Sequence, residues 1–405
     1  MRALDLSKAI EAIESGVRAV TGSESVDLAD ALHRVAAESV RSPISLPPFA
    51  SSAMDGYALR ASSRSAAGPF HLEIVGSSLA GHPFEGTIAD GQCVRITTGA
   101  PLPHDADAVV IQENCVRSGD RLLVNVSVAA GEHVREVGND IHQGDNLLLS
   151  GQLINAFDVG WLAACGIERI KVFRRVRVAV FSTGDELQEP GTPLQRGRIF
   201  DSNRMTLLQL LRELPVRCED LGILPDDPQH LRTTLSRAAR DNDLILTSGG
   251  VSVGDADHVR EVVAAIGRID FWRLNLKPGK PLAFGRINDA IFLGLPGNPV
   301  STIVTYLLVA QPALRLLAGA GAAPVFRYQA RLKHRLHHQP GREEYQRGYL
   351  VQETRELTVG VRGDQSSNRL GSFSGADCLI RIPAETADLE PGELVEVLPF
   401  RGIGN

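Results

Sequence analysis

Five cysteines, at 93, 115, 165, 218 and 378, are odd in number and scattered, and no CxxC pair occurs among them. Neither a disulfide framework nor a zinc cage is therefore expected. Aromatic residues make up only 5% of the chain, too few for platforms that stack single-stranded nucleic acid. The formal net charge is −6, which gives no global field that would draw nucleic acid or an acidic membrane. A membrane span needs about 20 consecutive apolar residues, and the most apolar stretch, Thr302 to Ala318, is interrupted by Gln311, Pro312 and Arg315. The first 17 residues do not read as a signal peptide either. Leu4, Leu6, Ile10, Ile13 and Val17 recur at roughly helical spacing among charges, as in an amphipathic helix. The expectation is a cytoplasmic protein with neither nucleic acid nor membrane as a partner.

A chain of 405 residues is too long for one ordinary core and implies several domains. Residues 1–50 read as helical and end in a Pro-rich connector around Pro47-Pro48, where a helix cannot continue. Residues 51–139 carry short apolar runs separated by Gly, Pro and Asp, the pattern of a small β-rich domain. Residues 140–173 return to a helix, Ala156 to Cys165, and rejoin the first segment as a helical N-terminal/linker domain. From 174 to 323 strand and helix patterns alternate, which predicts a mostly parallel sheet covered on both faces. Short alternating strands over 324–405 predict a C-terminal β domain. The fold class is α/β plus β.

Ligands of an open α/β sheet bind at the carboxyl ends of its strands. Three predicted strand ends carry Gly beside hydroxyl or acidic residues: Ser182-Thr-Gly-Asp-Glu-Leu187, Thr247-Ser-Gly-Gly-Val-Ser-Val-Gly-Asp255 and Gly294-Leu-Pro-Gly-Asn-Pro-Val-Ser301. Glycine lets backbone approach a phosphate, and helix N-termini offer it free N–H groups. Glu186, Asp226, Asp255 and Asp257 lie in or beside these loops and suit Mg²⁺, which takes one or two carboxylates with phosphate and water. The competing reading makes Asp226, Asp227 and Asp255 helix caps or first-turn acids. Lys277-Pro-Gly-Lys-Pro281 is a stiff basic loop whose fixed ammonium groups would suit an oxyanion; alternatively it is an exposed hairpin with two incidental lysines.

Taken together these blocks resemble the molybdopterin molybdenumtransferase family, MoeA, to which the gephyrin E domain is also similar. The resemblance runs nearly the whole length. It is carried by Leu46-Pro-Pro-Phe49, Ser51-Ser-Ala-Met-Asp-Gly-Tyr-Ala58, Thr97-Thr-Gly-Ala-Pro-Leu-Pro103, Gly138-Asn-Asp-Ile141, Thr183-Gly-Asp-Glu-Leu187, Asp201-Ser-Asn203, Ser248 to Asp255, Lys277 to Pro281 and Leu295 to Ser301. It implies an elongated four-domain chain around a MogA-like molybdopterin-binding domain. It also implies a homodimer whose active site is shared between subunits. The implied substrates are adenylylated molybdopterin and molybdate, with Mg²⁺ as cofactor and AMP released. Partners of that chemistry include a molybdopterin adenylyltransferase and molybdoenzyme maturation factors. By position, Asp55, Asp140, Glu186, Asp226, Asp257, Lys277 and Lys280 match the family's catalytic groups, with Glu186, Asp226 and Asp257 as metal ligands. Thr183, Gly184, Asp185, Asp201, Asn203, Gly249, Gly250, Ser252, Pro296 and Asn298 match its ligand-binding set. Lys280, Ser301, Arg342 and Ser372 match its molybdate-holding set.

Two other readings share parts of this pattern. Molybdopterin adenylyltransferases and CinA-type nucleotide pyrophosphatases resemble the α/β domain, but the block Ser51 to Ala58 argues against both. A scaffold role, as for gephyrin, would call for an added partner-binding region or a long linker.

Overall fold

The computed structural model describes residues 3–20, 22–61, 69–251, 258–321, 327–353 and 356–400. The chain divides into two compact units, one of residues 1–38, 150–155 and 171–405 and one of residues 39–149 and 156–170. The helical reading of residues 1–50 holds over Leu6–Gly16 and one short 3-10 turn, Leu28–Asp30; Ser23–Asp27 and Val40–Arg41 are strands. The helix also belongs with the α/β core instead of with residues 39–50. Leu6, Ala9, Ile13 and Val17 are buried in one cluster with Val176, Val180 and Leu314. Apolar residues at i, i+3 and i+7 form a stripe that needs a partner surface, and the sheet domain supplies it.

The core of the larger unit is a six-stranded sheet. Its elements are β1 (Val176–Thr183), α1 (Ser202–Leu211), β2 (Val216–Leu224), α2 (Pro228–Asp241), β3 (Leu244–Ser248), α3 (His258–Ile266), β4 (Arg268–Arg273), β5 (Pro281–Ile287) and β6 (Ala290–Leu295). The strand order is β2-β1-β3-β6-β5-β4. The first four strands are parallel, and β5 runs antiparallel to both its neighbours, β6 and β4. The sequence pattern predicts only the parallel part. β4 reads Arg-Ile-Asp-Phe-Trp-Arg and β5 reads Pro-Leu-Ala-Phe-Gly-Arg-Ile, short segments whose periodicity alone does not assign them. The antiparallel edge has a consequence for the site: β5 begins at the same edge where β6 ends, with Ala283 opposite Gly294.

After β6 the chain is helical from Pro299 to Leu317 through a π-turn, Tyr306–Ala310. Pro312 does not interrupt it. Gln311 N–H bonds to Tyr306 O across the π-turn, and the wider turn accommodates a residue without an N–H. The run is long and apolar enough to cross a membrane by composition, but 72% of its apolar window is buried in the protein. It is a core helix.

The C-terminal strands β7 (Tyr328–Leu332), β8 (Glu343–Glu353), β9 (Glu356–Val361), β10 (Cys378–Ile382) and β11 (Leu394–Pro399) pair in the order β8-β9-β7-β11-β10, and β10 pairs again with β8. The ring is closed, so it has no free edge. The short strand Leu276–Lys277 adds to β8 in parallel.

In the smaller unit Gly56–Leu59 lies between Gln92–Ile96 and Ala108–Ile111 in a six-stranded sheet. A Cβ at Gly56 would stand 1.9 Å from Val110 O, so only glycine permits this strand spacing. Gly56→Ala should therefore overpack that sheet at a cost of about 1–3 kcal/mol. Trp161 lies in this unit and Trp272 in the other. The thermal midpoint reported by Trp161 fluorescence should fall further than that reported by Trp272; unchanged midpoints for both would show that the strands spread freely.

Candidate active site

The carboxyl edge of the parallel strands gathers most of the residues singled out from the sequence. One amide ties its loops together. Asn203, in the first turn of α1, donates through Nδ2 to Ser248 Oγ at 2.8 Å and to Gly297 O at 2.7 Å. Gly249 N–H donates to Leu295 O at 3.1 Å. The loops after β3 and β6 are thus joined to each other and to α1. Gly250 has φ +66°, and a Cβ there would lie 2.5 Å from Val259 Cγ2 and 2.7 Å from Thr183 Cγ2. Its backbone conformation and its neighbours both require glycine. The hydroxyls of Ser182, Thr183 and Thr247 are buried at these strand ends with no hydrogen-bond partner among the described residues. Buried unpaired hydroxyls are costly, and a polar ligand or water held at this edge would satisfy them. The motif pattern does not single out Ser182 and Thr247, although their position just before the Gly residues is visible in it.

The acids divide into two kinds. Asp201 caps α1, accepting from Arg204 N–H at 3.1 Å, and pairs with Arg204 Nε at 3.0 Å while only 1% exposed. Arg204 also binds Asp220 and Glu189. The Asp201 carboxylate is committed to that network, so its effect on a ligand runs through the placement of Asn203. Asp227 caps α2, accepting from His230 N–H at 2.6 Å. Asp226 makes no such cap. Its carboxyl is held above the usual range first by burial, with Asp185 and Glu186 adding repulsion and His258 opposing it. Asp185 and Glu186, after β1, thus lie near enough to Asp226, after β2, to disfavour its ionisation. Among the described residues no three His, Cys, Asp or Glu groups already converge as a metal cage. Ser252, Asp255 and Asp257 lie outside the described residues. Gly184 packs against the Glu186 carboxylate.

The two lysines of the basic loop have different partners. Lys277 lies 2.9 Å from the carboxylate of Glu344, which is 3% exposed, because strand Leu276–Lys277 pairs with Glu343 and Glu344 of β8. It is neither incidental nor free. Lys280 is exposed, and its ammonium has no acidic partner among the described residues. Gly279 has φ +120°, and a Cβ there would lie 2.6 Å from Thr305 Cγ2. The loop is thereby seated on the helix Pro299–Thr305, which carries Ser301. Ser301 is 4% exposed, and its carbonyl accepts from Thr305 Oγ1 at 2.7 Å. Pro296 O accepts from Thr302 Oγ1 at 2.6 Å, and Asn298 is the N-cap residue without a side-chain cap bond.

Arg342 is exposed, and its carbonyl contacts His338 Nε2 at 3.1 Å. Ser372 differs from the expectation. Its hydroxyl donates to Arg369 O at 2.6 Å and accepts from Arg347 Nε at 2.8 Å, so it is occupied within the barrel. Asp55 and Asp140 belong to the smaller unit. Thr98 donates to Asp55 Oδ1 through its N–H at 2.7 Å and its hydroxyl at 2.9 Å. These bonds, with Arg95 nearby, hold the Asp55 carboxyl below its usual range. The blocks around Ser51 and Thr97 are thus stitched into one turn. Asp140 is exposed, its N–H bonded to Leu46 O at 2.9 Å.

Comparison with known proteins covers the same ground. Residues 4–166 match the MoeA N-terminal region (domain I and II), 179–316 a probable molybdopterin binding domain, and 329–400 the MoeA C-terminal region (domain IV). The chain is 38% identical to the molybdopterin molybdenumtransferase of Haemophilus influenzae, covering 94% of both chains. It is 37% identical to that of Nostoc sp., over 93% of this chain and 88% of the relative. A solved molybdopterin biosynthesis MoeA protein from Pyrococcus horikoshii is 32% identical, with a TM-score of 0.79 over 99% of this chain and 100% of that one. With three consecutive family regions matched in order and relatives this similar end to end, the chain belongs to the molybdopterin molybdenumtransferase family, MoeA.

Proposed function

We propose that this chain inserts molybdate into adenylylated molybdopterin and releases AMP in a Mg²⁺-dependent step of molybdenum cofactor synthesis. The observation that carries the reading is a separation of charge along one sheet edge. Asp185, Glu186 and Asp226 follow the neighbouring strands β1 and β2, while Lys280 stands at the start of β5, beyond β3 and β6. Neighbouring strands are about 4.8 Å apart, so the two ends are separated by roughly 14–19 Å. A compact anion would reach only one end. A pterin joined to a nucleotide through a diphosphate is long enough to reach both.

The carboxylates fit Mg²⁺. They are hard oxygen donors at neighbouring strand ends, and a divalent cation drawing them in would offset their mutual repulsion while leaving positions for phosphate and water. Bound there, the cation would polarise the phosphoanhydride. The chain's own contribution is placement. Asn203 fixes the loops, the strand-end hydroxyls and Gly backbone receive the pterin nucleotide, and Lys280 with Ser301 receives molybdate. Lys277 is neutralised by Glu344, so Lys280 is the cation left for the oxyanion. The dithiolene sulfurs belong to the substrate, and no side-chain nucleophile is required. We further propose a cytoplasmic homodimer in which Asp55 and Asp140 of one subunit complete the site of the other.

Three measurements test this reading. Asp226 has a raised folded pKa, so its ionised form destabilises the fold once pH exceeds that value, and the penalty vanishes below the ordinary carboxylate range. At neutral pH Asp226→Asn should leave the melting temperature equal or higher and abolish the Mg²⁺ dependence of AMP release. Asp227→Ala should instead lose a cap worth about 1 kcal/mol and keep the metal dependence; the opposite assignment of effects would overturn the metal role.

Lys280→Gln should raise the half-saturating molybdate concentration about ten- to a hundredfold, the equivalent of one charge-assisted hydrogen bond, without weakening binding of the adenylylated pterin. Lys277→Gln should mainly destabilise the protein by about 1–3 kcal/mol, because it removes the ammonium beside the buried Glu344 and leaves that carboxylate with Gln346 and His338 as its polar neighbours. Loss of pterin binding in Lys280→Gln would place the lysine on the phosphates.

At molybdate far below the half-saturating level of Lys280→Gln, mixing Asp55→Asn and Lys280→Gln subunits should restore about a quarter of wild-type activity, since half the dimers are mixed and each regains one intact site. No recovery, with a monomeric mass in solution, would refute the shared site.

A further inference from the structure

The amino ends of β1, β3 and β6 form the edge of the sheet opposite the Gly-rich loops. β3 alone spans five residues, Leu244–Ser248, so the two edges are roughly 13–17 Å apart. A cavity of about 530 Å³ opens at the amino edge, and none of the residues singled out for the reaction lines it. Five arginines do: Arg18, Arg174, Arg177, Arg240 and Arg286. One carboxylate is bonded among them. Asp243, just before β3, accepts from Arg174 Nη1 at 2.7 Å and Nη2 at 2.8 Å. It also accepts from the Arg177 N–H at 2.7 Å and from Arg177 Nη2 at 3.3 Å. The two-pronged pair with Arg174 is the strongest geometry open to a guanidinium and a carboxylate, and it fixes this side of the cavity.

The other three arginines have no acidic partner among the described residues. Arg18 donates through Nη1 to Val17 O at 3.1 Å. Arg286 donates through Nη2 to Gly16 O and through Nη1 to Asp289 O at 3.3 Å. Arg240 stands in the last turn of α2. Three helices end at this edge, at Gly16, Asp241 and Leu317, and helix carboxyl ends attract cations. Those ends help to hold the arginines, yet a guanidinium has five donors, and the contacts here occupy one or two of them. Asp289, exposed at the tip of the β5–β6 hairpin, is the second acid of the wall, so five arginines stand against two aspartates. Val20, Ile291 and Leu317 give the wall an apolar part.

We propose that this cavity is a second ligand site, which takes a small organic molecule through its phosphate groups. A phosphate presents several acceptor oxygens and more than one charge, so it can meet several guanidinium forks at once. A single carboxylate would neutralise one arginine and leave the others facing one another. The apolar part of the wall covers the organic portion of the molecule. Small-molecule pockets run from about 300 to 1,000 Å³, and this one has room for a nucleotide. The assignment does not depend on the reaction at the carboxyl edge.

The test uses full-length protein, with ADP and pyrophosphate as probes and amide hydrogen exchange as the readout. ADP should protect residues 239–243 and 286–291, a response separate from any protection of the loops after β1, β3 and β6. Pyrophosphate should do the same about tenfold more weakly, because it leaves the apolar wall uncovered; equal affinity would overturn the choice of an organic ligand. Replacing Arg18→Gln and Arg240→Gln together should raise the ADP concentration needed at the amino edge at least tenfold, as two charge-assisted hydrogen bonds are lost. AMP release should be unchanged. Both residues are exposed, so the variant should fold. Arg18→Lys with Arg240→Lys should keep part of the binding, since the charge stays and the fork is lost. If the arginines only cap helix ends, the double Gln variant melts lower and millimolar ADP protects nothing at this edge of the wild-type protein. That result, or protection that persists in the double Gln variant, would overturn the proposal.

Discussion

Both amide hydrogens of Asn203 are donated across the carboxyl edge of the sheet, one to the loop after β3 and one to the loop after β6. The rest of the site depends on this crosslink. Gly-rich loops at strand ends are polar backbone with few side chains to pack, and left to themselves they would sample many conformations. Asn203 can hold them because Asp201 and Arg204 fix the first turn of its helix. That Asp201–Arg204–Asp220 network is therefore part of the site without offering it a free ligand atom. Such rigidity yields preorganised backbone and hydroxyl donors that need not be ordered when a phosphate arrives.

Charge is handled differently at the two ends of the edge. At β1 and β2, burial raises the Asp226 carboxyl above its ordinary range, and Asp185 and Glu186 add to the effect. At the other end the barrel intervenes. Glu344, buried in β8, neutralises Lys277 and leaves Lys280 unneutralised. Two lysines three residues apart thus acquire different roles from one carboxylate more than sixty positions away. Closure of the barrel makes that possible, since a ring without edges presents β8, and Glu344 with it, at a fixed place beside the strand Leu276–Lys277.

Much of this is legible in the amino-acid sequence. The alternation of strand and helix from 174 onward, the loops after β1, β3 and β6 and the first-turn Asp227 are local patterns, in which the period of apolar residues and the chemistry of Gly, Pro and Asp act over a few positions. Local pattern cannot show which elements meet. The N-terminal helix reads as the start of its own domain, yet its stripe of Leu6, Ile13 and Val17 is buried against the α/β core. The same pattern of residues would suit any apolar partner surface.

The sequence by itself determined the fold class, the family and the Gly-rich loops at the strand ends, because each rests on residues adjacent in the chain. Only the tertiary structure decided which side chains within those loops remain available. Asp201, Ser372 and Lys277 carry the right atoms, but Arg204, Arg347 and Glu344 occupy them. Lys280 and Asp226 have no such ion-pair partner among the described residues. Availability is a matter of what lies within hydrogen-bond reach in space, and those partners stand anywhere from three to more than sixty residues away along the chain.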